Sequence, residues 1–118
     1  MAKTCRSRKE KGRRLEVLIA KRIEKVLGEY GIHATRTPMS GAIDRFKGDI
    51  FTNLPICIEA KNQERLNFRK AWEQAKNQAG HKTPVLMSSR NNDPEILVML
   101  ELDDFLWIVE FAIRSGWE

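Results

Sequence analysis

The amino-acid sequence predicts an α/β fold, a single small domain in which helices flank a mixed β-sheet. The chain has 118 residues, which is enough for one domain but too few for two. Hydrophobic residues make up 42% of the chain, so it can form a buried core and is not globally disordered. Apolar positions change between a helical spacing and short strand-like runs, which predicts the element order α-β-β-β-α-β-β-α.

The N-terminal part predicts a helix over residues 9–29. Its apolar residues recur every three or four positions, which places them on one side of a helix. Ser7 and Glu10 have the spacing of a capping box, so we expect the helix to start there, and Gly31 is a suitable stop. A short strand over residues 32–36 follows. The apolar stripe consists of Leu15, Leu18, Ile19, Ile23, Val26 and Leu27.

The remaining sequence predicts a hairpin, a helix, two strands and a last helix. Residues 49–51 and 55–59 are short apolar runs joined by a polar connection, which is the pattern of a hairpin. The later elements are a helix over 67–80, strands over 85–87 and 96–100, and a helix over 103–113. The expected inner face of the middle helix is Phe68, Trp72, Ala75 and Ala79. The core-packing residues expected on the last helix are Phe105, Trp107 and Phe111.

Charge is distributed unevenly along the chain. The formal net charge is +5, but residues 1–25 carry +7 and residues 92–118 carry −6. Clustered Lys and Arg residues release counterions from polyanions, so the basic front favours a polyanionic partner, either a nucleic acid or an acidic protein. A solvated arm explains the same cluster, and charge alone leaves both interpretations open. We expect residues 1–8 to form a basic N-terminal arm and residues 9–118 to form the domain.

The sequence argues against two classes of protein. No apolar run approaches the roughly 20 residues that cross a bilayer, and no signal-type apolar block follows the basic N-terminus. We therefore expect neither a membrane protein nor a secreted one. Cys5 and Cys57 are too few for a disulfide framework, which favours a reducing, cytoplasmic compartment.

Three ionisable residues are expected at one edge of the sheet. Glu59 and Lys61 lie two positions apart at the end of an apolar strand, so their side chains leave the same face. Asp49 begins the preceding strand, and a hairpin would bring its carboxylate beside that of Glu59. The alternative is that Lys61 only neutralises one of these acids in a surface ion pair.

Such a cluster has the composition of a hydrolytic metal site. Two carboxylates are hard oxygen ligands suited to Mg²⁺, with Mn²⁺ as a substitute. A metal there polarises a scissile phosphate and lowers the pKa of a water molecule. The ammonium group of Lys61 would orient that water or offset the charge that builds on the phosphate.

Two stretches of the sequence resemble the signature of the PD-(D/E)XK nuclease superfamily, which has the restriction-endonuclease-like fold. They are Gly-Asp-Ile-Phe at residues 48–51 and Ile-Cys-Ile-Glu-Ala-Lys at residues 56–61. The departure from the named motif is Gly48, which stands where the motif has proline.

Further motifs resemble archaeal-type and phage Holliday junction resolvases. Residues 12–16 resemble a G-x-x-x-E opening on the first helix, and residues 36–41 resemble an R-x-x-x-S-G element before the catalytic strand. Residues 72–75 and 83–87 resemble the Gln-bearing helix and the strand found downstream in many phage members. The resemblance spans residues 12–90, and its specificity comes from the order and spacing of the motifs.

The resemblance implies a role for each matching residue. Lys61 would be the catalytic lysine, and Gln74 would brace it or the attacking water unless it is simply a solvent-facing glutamine. Ser40 would contact the scissile phosphate unless it is an ordinary turn residue. The expected catalytic residues are Glu16, Asp49, Glu59, Lys61 and Gln74, of which the first three would bind the metal. The expected DNA-binding residues are Lys11, Arg13, Arg14, Arg36 and Ser40.

The carboxylate assignments also have alternatives. Glu16 is placed to pair on its own helix with Arg13 or Lys21, as an ordinary surface carboxylate. Glu24, which lies on the same predicted helix, is an alternative to Glu16 as a metal ligand. Asp44 competes for the place of the first strand carboxylate.

The resemblance implies a Mg²⁺-dependent DNA endonuclease that cuts branched DNA, such as a four-way junction, as a homodimer. Apolar residues near the C-terminus would pair across the two-fold axis, while basic residues line the DNA surface. Two alternatives stay open: a phage nuclease acting on flaps, ends or ordinary duplex, and a non-catalytic DNA-binding accessory protein on the same fold. The apolar residues are Leu100, Phe105, Trp107 and Phe111, and the additional basic residues are Arg45 and Lys47.

Overall fold

The computed structural model describes residues 5–37 and 48–117, with side chains described from residue 9 onwards within these ranges. The predicted order of helices and strands is confirmed, with one 3₁₀ turn added after the first helix. The elements are α1 (Cys5–Leu27), the 3₁₀ turn (Gly28–Tyr30), β1 (Ala34–Arg36), β2 (Ile50–Thr52), β3 (Ile56–Asn62), α2 (Phe68–Ala79), β4 (Thr83–Ser89), β5 (Leu97–Met99) and α3 (Leu102–Arg114).

The strands form one mixed sheet of five strands within the described residues, in the order β1-β2-β3-β4-β5. Neighbouring strands are antiparallel except β3 and β4, which run parallel because α2 connects them. The buried cluster beneath α1 includes Leu15 and Ile19 of the helix and Ile58 and Val85 of the central strands. This core holds β3, the strand that carries Glu59, in the middle of the sheet.

α1 differs from the predicted helix at its start and in the width of its buried stripe. It begins at Cys5, so Ser7 already lies inside the helix and the predicted capping box is wrong. Leu18 and Val26, which were expected on the apolar stripe, are exposed. The helix runs through the predicted boundary between residues 8 and 9, and residues 1–4 of the proposed arm lie outside the described residues.

α2 packs on the sheet with its smallest residues. Asn67 caps the helix by accepting a hydrogen bond from the N–H of Lys70 at 3.1 Å. The expectation that Phe68 and Trp72 form the inner face is wrong, because Phe68 is exposed and Trp72 is only partly buried. Alanines let the helix backbone lie close to β3 and β4. The buried residues of α2 are Ala71, Ala75 and Ala79.

α3 makes little contact with the rest of the described structure. The described part of the chain buries none of the 13 residues of α3. The expectation that Phe105, Trp107 and Phe111 pack in the core is therefore wrong. Leu100, just before α3, packs against the core instead. Although α3 is apolar, neither it nor any other described helix is long and apolar enough to cross a membrane.

Candidate active site

Asp49 is fixed over β3 by its backbone and its side chain. Its N–H donates to the carbonyl oxygen of Ile58 at 2.8 Å, which continues the antiparallel pairing of β2 and β3. Its Oδ2 atom accepts a hydrogen bond from the N–H of Ala60 at 2.8 Å. The two bonds join Asp49 to Ile58 and Ala60, the residues on either side of Glu59 in β3. They hold the Asp49 carboxylate against this strand.

Gly48 makes this position of Asp49 possible. Its φ of +84° lies in the left-handed region, which favours glycine. A Cβ at this position would lie 2.8 Å from Cys57 Sγ and 2.9 Å from the carbonyl oxygen of Ile58. Proline, with φ fixed near −65°, cannot adopt this conformation. The departure from the proline of the motif is therefore explained by the close approach of residue 48 to β3.

Glu59 is a buried carboxyl group, only 8% exposed, in the central strand. Burial raises its pKa most, the charge of Asp49 and a side-chain hydrogen bond with Asp49 raise it as well, and the charge of Lys61 lowers it, which together place the pKa at about 7. The charge of Glu16 also raises it. Glu16, Asp49, Glu59 and Lys61 therefore lie close enough to act on one another.

Lys61 lies two residues beyond Glu59 on β3, where side chains of one parity share a face. Ile56, Ile58 and Ala60 belong to the cluster under α1 or pack against it, so Glu59 and Lys61 alternate with the core-facing positions. Lys61 is partly exposed, and it lines a groove together with residues of α1. Its ammonium group therefore lies at the border between the buried acids and the open surface.

Glu16 approaches the cluster from α1, but Arg36 of β1 holds it. Arg36 Nε donates to Glu16 Oε2 at 2.7 Å, and both side chains are largely buried. Burial raises the pKa of Glu16, the hydrogen bond from Arg36 lowers it, and the charge of Asp49 raises it. The alternative considered above was that Glu16 pairs with Arg13 or Lys21 on its own helix. In the structure its ion-pair partner is Arg36, which belongs to another element. Arg13 still acts on the pKa of Glu16 through its charge.

The Asp49 and Glu59 carboxylates have the composition of part of a metal site. Among the described residues, no three Asp, Glu, His or Cys side chains are arranged to hold a metal ion as they stand. Asp49 and Glu59 are nevertheless paired oxygen donors in a buried place, where their mutual repulsion raises the pKa of Glu59. A hard divalent cation fits this pair because its charge would relieve that repulsion. Glu16 could join as a third donor only after leaving Arg36.

The remaining predicted site residues differ in how exposed their side chains are. Gln74 is exposed on α2 and makes no hydrogen bond to the described residues. Lys11 is partly buried, while Arg13 and Arg14 are exposed on the same helix. The residues that lie outside the described residues are Ser40, Asp44, Arg45 and Lys47.

Glu24 has a structural position away from the cluster. Its Oε1 atom accepts a hydrogen bond from the N–H of Ala34 at 3.0 Å and lies 3.8 Å from His33 Nδ1. The carboxylate thus ties the start of β1 to α1. It is not positioned as a substitute for Glu16.

Sequence reasoning missed polar residues at the carboxyl ends of β3 and β4. Asn62 ends β3, and its Oδ1 atom is buried with no hydrogen-bond partner among the described residues. Arg65 and Arg90 follow the two strands. The parallel pairing of β3 and β4, which brings these loops together, is the signal that would have pointed to them.

Comparison with known proteins gives a family match. The family model described as “Phage putative PDDEXK endonuclease” matches residues 7–111. This range includes the whole carboxylate cluster and most of α3. No curated protein and no solved structure matches the chain.

Proposed function

The chain belongs to the phage PDDEXK endonuclease family and is therefore a nuclease, and from this premise we propose that it is a Mg²⁺-dependent DNA endonuclease. We propose branched DNA, such as a Holliday junction, as its substrate, and a homodimer in the cytoplasm of the host cell as its active form. The observation that carries the catalytic part is the cluster formed by Glu59 and Lys61 of the central strand β3 and by Asp49, which precedes β2.

Asp49 and Glu59 would hold the cation in this proposal. Their carboxylates meet in a buried place, and Asp49 is oriented by the N–H of Ala60. The bound metal supplies charge stabilisation for the phosphate and acidifies a water molecule. Mn²⁺ would substitute for Mg²⁺ because it takes the same oxygen ligands. Glu16 would complete the ligand set when it is released from Arg36.

Lys61 would act on the water and on the phosphate. It lies on the same face as Glu59 and borders the open groove, so it can reach a phosphate that a buried carboxylate cannot. Its positive charge would stabilise the negative charge that develops as water attacks phosphorus and the P–O bond to the leaving oxygen breaks. Gln74, exposed on α2, would brace Lys61 or the water.

The DNA would lie across the basic side of α1 and β1. The exposed Arg13 and Arg14 side chains and the groove-lining Lys11 give this side the positive charge that phosphates require. Arg36 and Ser40 would contact the phosphates next to the scissile bond. Residues 101–118 carry five acidic side chains and one basic side chain, so this segment would face away from the DNA.

α3 supports the proposed homodimer. Trp107 and Phe111 are 67% and 63% exposed, and their rings stack on each other with centroids 5.9 Å apart. The exposed apolar side chains of α3 and Trp117 together offer on the order of 800 Å², since large aromatic side chains carry roughly 150–250 Å² each. That is about the area each partner buries in a stable interface. It exceeds the roughly 300–600 Å² of the largest apolar patch on a typical monomer.

The charges of α3 favour a second copy as the partner and an antiparallel arrangement. Asp103 and Asp104 lie in its first turn, and Arg114 lies in its last turn. Two antiparallel copies of the helix bring the Arg114 of each protomer to the acidic end of the other. Opposite helix dipoles favour the same arrangement.

Cleavage of a four-way junction, compared with a linear duplex of the same sequence, tests the proposed function. Both substrates are end-labelled and incubated with the protein in Mg²⁺ and in EDTA. The proposal predicts paired, metal-dependent nicks in the junction and much less cutting of the duplex. Equal cutting of the two substrates would instead support a nuclease of flaps, ends or duplex. Binding without any cutting would support an accessory protein.

A further inference from the structure

A polar cleft opens at the carboxyl ends of β3 and β4, next to Lys61. It consists of two grooves of about 470 and 670 Å³ that share Lys11, Asn62 and Asn91 as lining residues. We call it the β3–β4 cleft. Its positively charged lining residues are Lys11, Arg14, Lys61, Arg65 and Arg90.

Hydrogen bonds between the two loops hold the walls of the cleft. The N–H of Gln63 donates to the carbonyl oxygen of Ser89 at 3.1 Å. The N–H of Asn91 donates to Glu64 Oε1 at 2.9 Å, so the carboxylate of Glu64 on one wall of the cleft already has a hydrogen-bond partner. The cleft is therefore formed before any ligand enters.

Asp93, the acidic residue on the opposite wall, also has hydrogen-bond partners. Asp93 accepts a hydrogen bond from Arg90 Nη2 at 3.0 Å and another from the N–H of Glu95 at 2.9 Å. Five basic side chains line the cleft against these two bonded carboxylates, so the positive charge predominates. An excess of Lys and Arg favours an anionic ligand.

Asn62 is a second, independent sign of a ligand. It lines both grooves of the cleft, and its Oδ1 atom is buried without a hydrogen-bond partner among the described residues. A buried polar atom without a partner is costly, and such atoms in native structures often belong to binding sites. The bases of a DNA strand carry N–H donor groups, and one of these would satisfy this acceptor.

Gly12 lies on the α1 side of the cleft and is unusual for its position. It lies within a long helix, where glycine is less favourable than alanine. Close packing does not explain it, because a Cβ there would meet no heavy atom of the described residues within 4 Å. A glycine leaves room for another backbone, such as that of a ligand in the cleft, to approach the helix closely at this point.

We infer that the β3–β4 cleft binds the phosphate backbone of the nucleic-acid strand next to the scissile bond, with Gly12 as its point of closest approach to α1. Arg65 and Arg90 contact the phosphates, and Asn62 accepts a hydrogen bond from the strand. This inference rests on the proposed nuclease function. It adds Asn62, Arg65 and Arg90, which the sequence motifs did not indicate, to the expected DNA-binding residues Lys11 and Arg14.

Gly12→Leu and Gly28→Leu form a matched pair of variants that tests the inference. Leucine is a good helix former, so it should not destabilise α1. Gly28 follows the same helix at its other end, away from the cleft, and is not among the glycines with positive φ. A Cβ at Gly28 also meets no described heavy atom within 4 Å. The two variants therefore differ in their position relative to the cleft.

Fluorescence anisotropy with a fluorescein-labelled four-way junction, in EDTA, measures binding without hydrolysis. We expect Gly12→Leu to bind about tenfold more weakly or worse, a change of about 1.4 kcal/mol. Gly28→Leu should bind within about twofold of the wild type, and both variants should melt at or above the wild-type temperature. Equal affinities of the two variants would overturn the inference.

A second pair of variants covers the case in which Gly12→Leu fails to fold. Arg65→Ala removes a charge from the cleft, and Arg69→Ala removes one from the exposed side of α2. We expect the Arg65 variant alone to weaken binding and to reduce its salt dependence. If the wild type cuts the junction but neither cleft variant changes its affinity, the cleft assignment fails and the nuclease function stands. If the wild type binds no DNA, both fail.

Discussion

The guanidinium group of Arg36 holds the carboxylate of Glu16 at 2.7 Å, so an expected DNA contact is bonded to an expected metal ligand. The two residues belong to different elements, β1 and α1, and both are largely buried. A DNA phosphate would compete with Glu16 for the arginine. Under the proposed function, the arrival of DNA would therefore release Glu16 toward Asp49 and Glu59.

Arg36→Gln tests this coupling. Without the guanidinium, Glu16 is free to complete the metal site, so we expect several-fold tighter Mn²⁺ binding in the absence of DNA. DNA affinity should fall, because a phosphate contact is lost. Isothermal titration with Mn²⁺ measures the first effect, and Arg22→Gln, an exposed arginine on α1, is the control. Unchanged Mn²⁺ affinity in the Arg36 variant would show that Glu16 does not bind the metal.

Glu59 makes the metal-free protein less stable at high pH. Its pKa is about 7 in the folded protein, against an ordinary value of 4.5. Between these values the folded state keeps a proton that the unfolded chain has lost, so the contribution of Glu59 to stability falls as the pH rises from about 4.5 to 7. We expect the melting temperature in EDTA to fall over this window.

Glu59→Gln should remove this part of the pH dependence. The variant keeps a hydrogen-bonding side chain but carries no charge, so it should be more stable than the wild type at pH 8 without metal. Thermal denaturation at several pH values measures the effect, and Glu73→Gln, an exposed residue paired with Lys76, is the control. A variant less stable than the wild type at pH 8 would contradict the explanation.

Gly48→Ala should destabilise the fold through contact with β3. The methyl group would lie 2.8 Å from Cys57 Sγ and 2.9 Å from the carbonyl oxygen of Ile58. Gly31→Ala is a matched control, because Gly31 has a similar φ of +81° but open space around it. A left-handed alanine costs about 1–2 kcal/mol, and the overpacking at Gly48 adds about 1–3 kcal/mol. Urea denaturation of the two variants measures this difference, and equal losses would refute it.

Charge reversal on α3 tests the homodimer. Arg114→Glu should weaken the dimer, because it places like charges together at both ends of an antiparallel helix pair. The double variant Asp103→Lys/Asp104→Lys should do the same from the other side. An equimolar mixture of the two should restore a dimer, since each end then pairs opposite charges. Sedimentation equilibrium measures the mass, and a wild-type monomer would refute the proposed dimer.

The order of the elements could be predicted because hydrophobic periodicity is local. The start of α1 could not, since Arg6, directly before Ser7, is a good helix former and no Gly or Pro nearby stops a helix. The inner face of α2 was predicted in part: Ala75 and Ala79 are buried as expected, but the larger Phe68 and Trp72 were expected inside in place of Ala71. The prediction that α3 packs in the core was wrong for a related reason. An apolar helix was expected to be covered by other parts of the same chain, and the described residues do not cover it.

The candidate site could be predicted only in part. The spacing of Glu59 and Lys61 and the hairpin that carries Asp49 are local features, and the structure brings the three residues together. The pairing of Glu16 with Arg36 joins residues 20 positions apart, which no local spacing reveals. The need for glycine at position 48 likewise depends on the distance to Cys57 in another strand.

Metal-dependent DNA cleavage by Asp49→Asn tests the central claim most directly. The variant keeps an oxygen acceptor for the N–H of Ala60 but loses the charge that would bind the cation. We predict that cleavage of the labelled four-way junction in Mg²⁺ falls by about 10³-fold or more. Junction binding in EDTA should stay within about twofold of the wild type, because no DNA contact is removed. Cleavage at the wild-type rate would contradict the assignment of Asp49 to the active site.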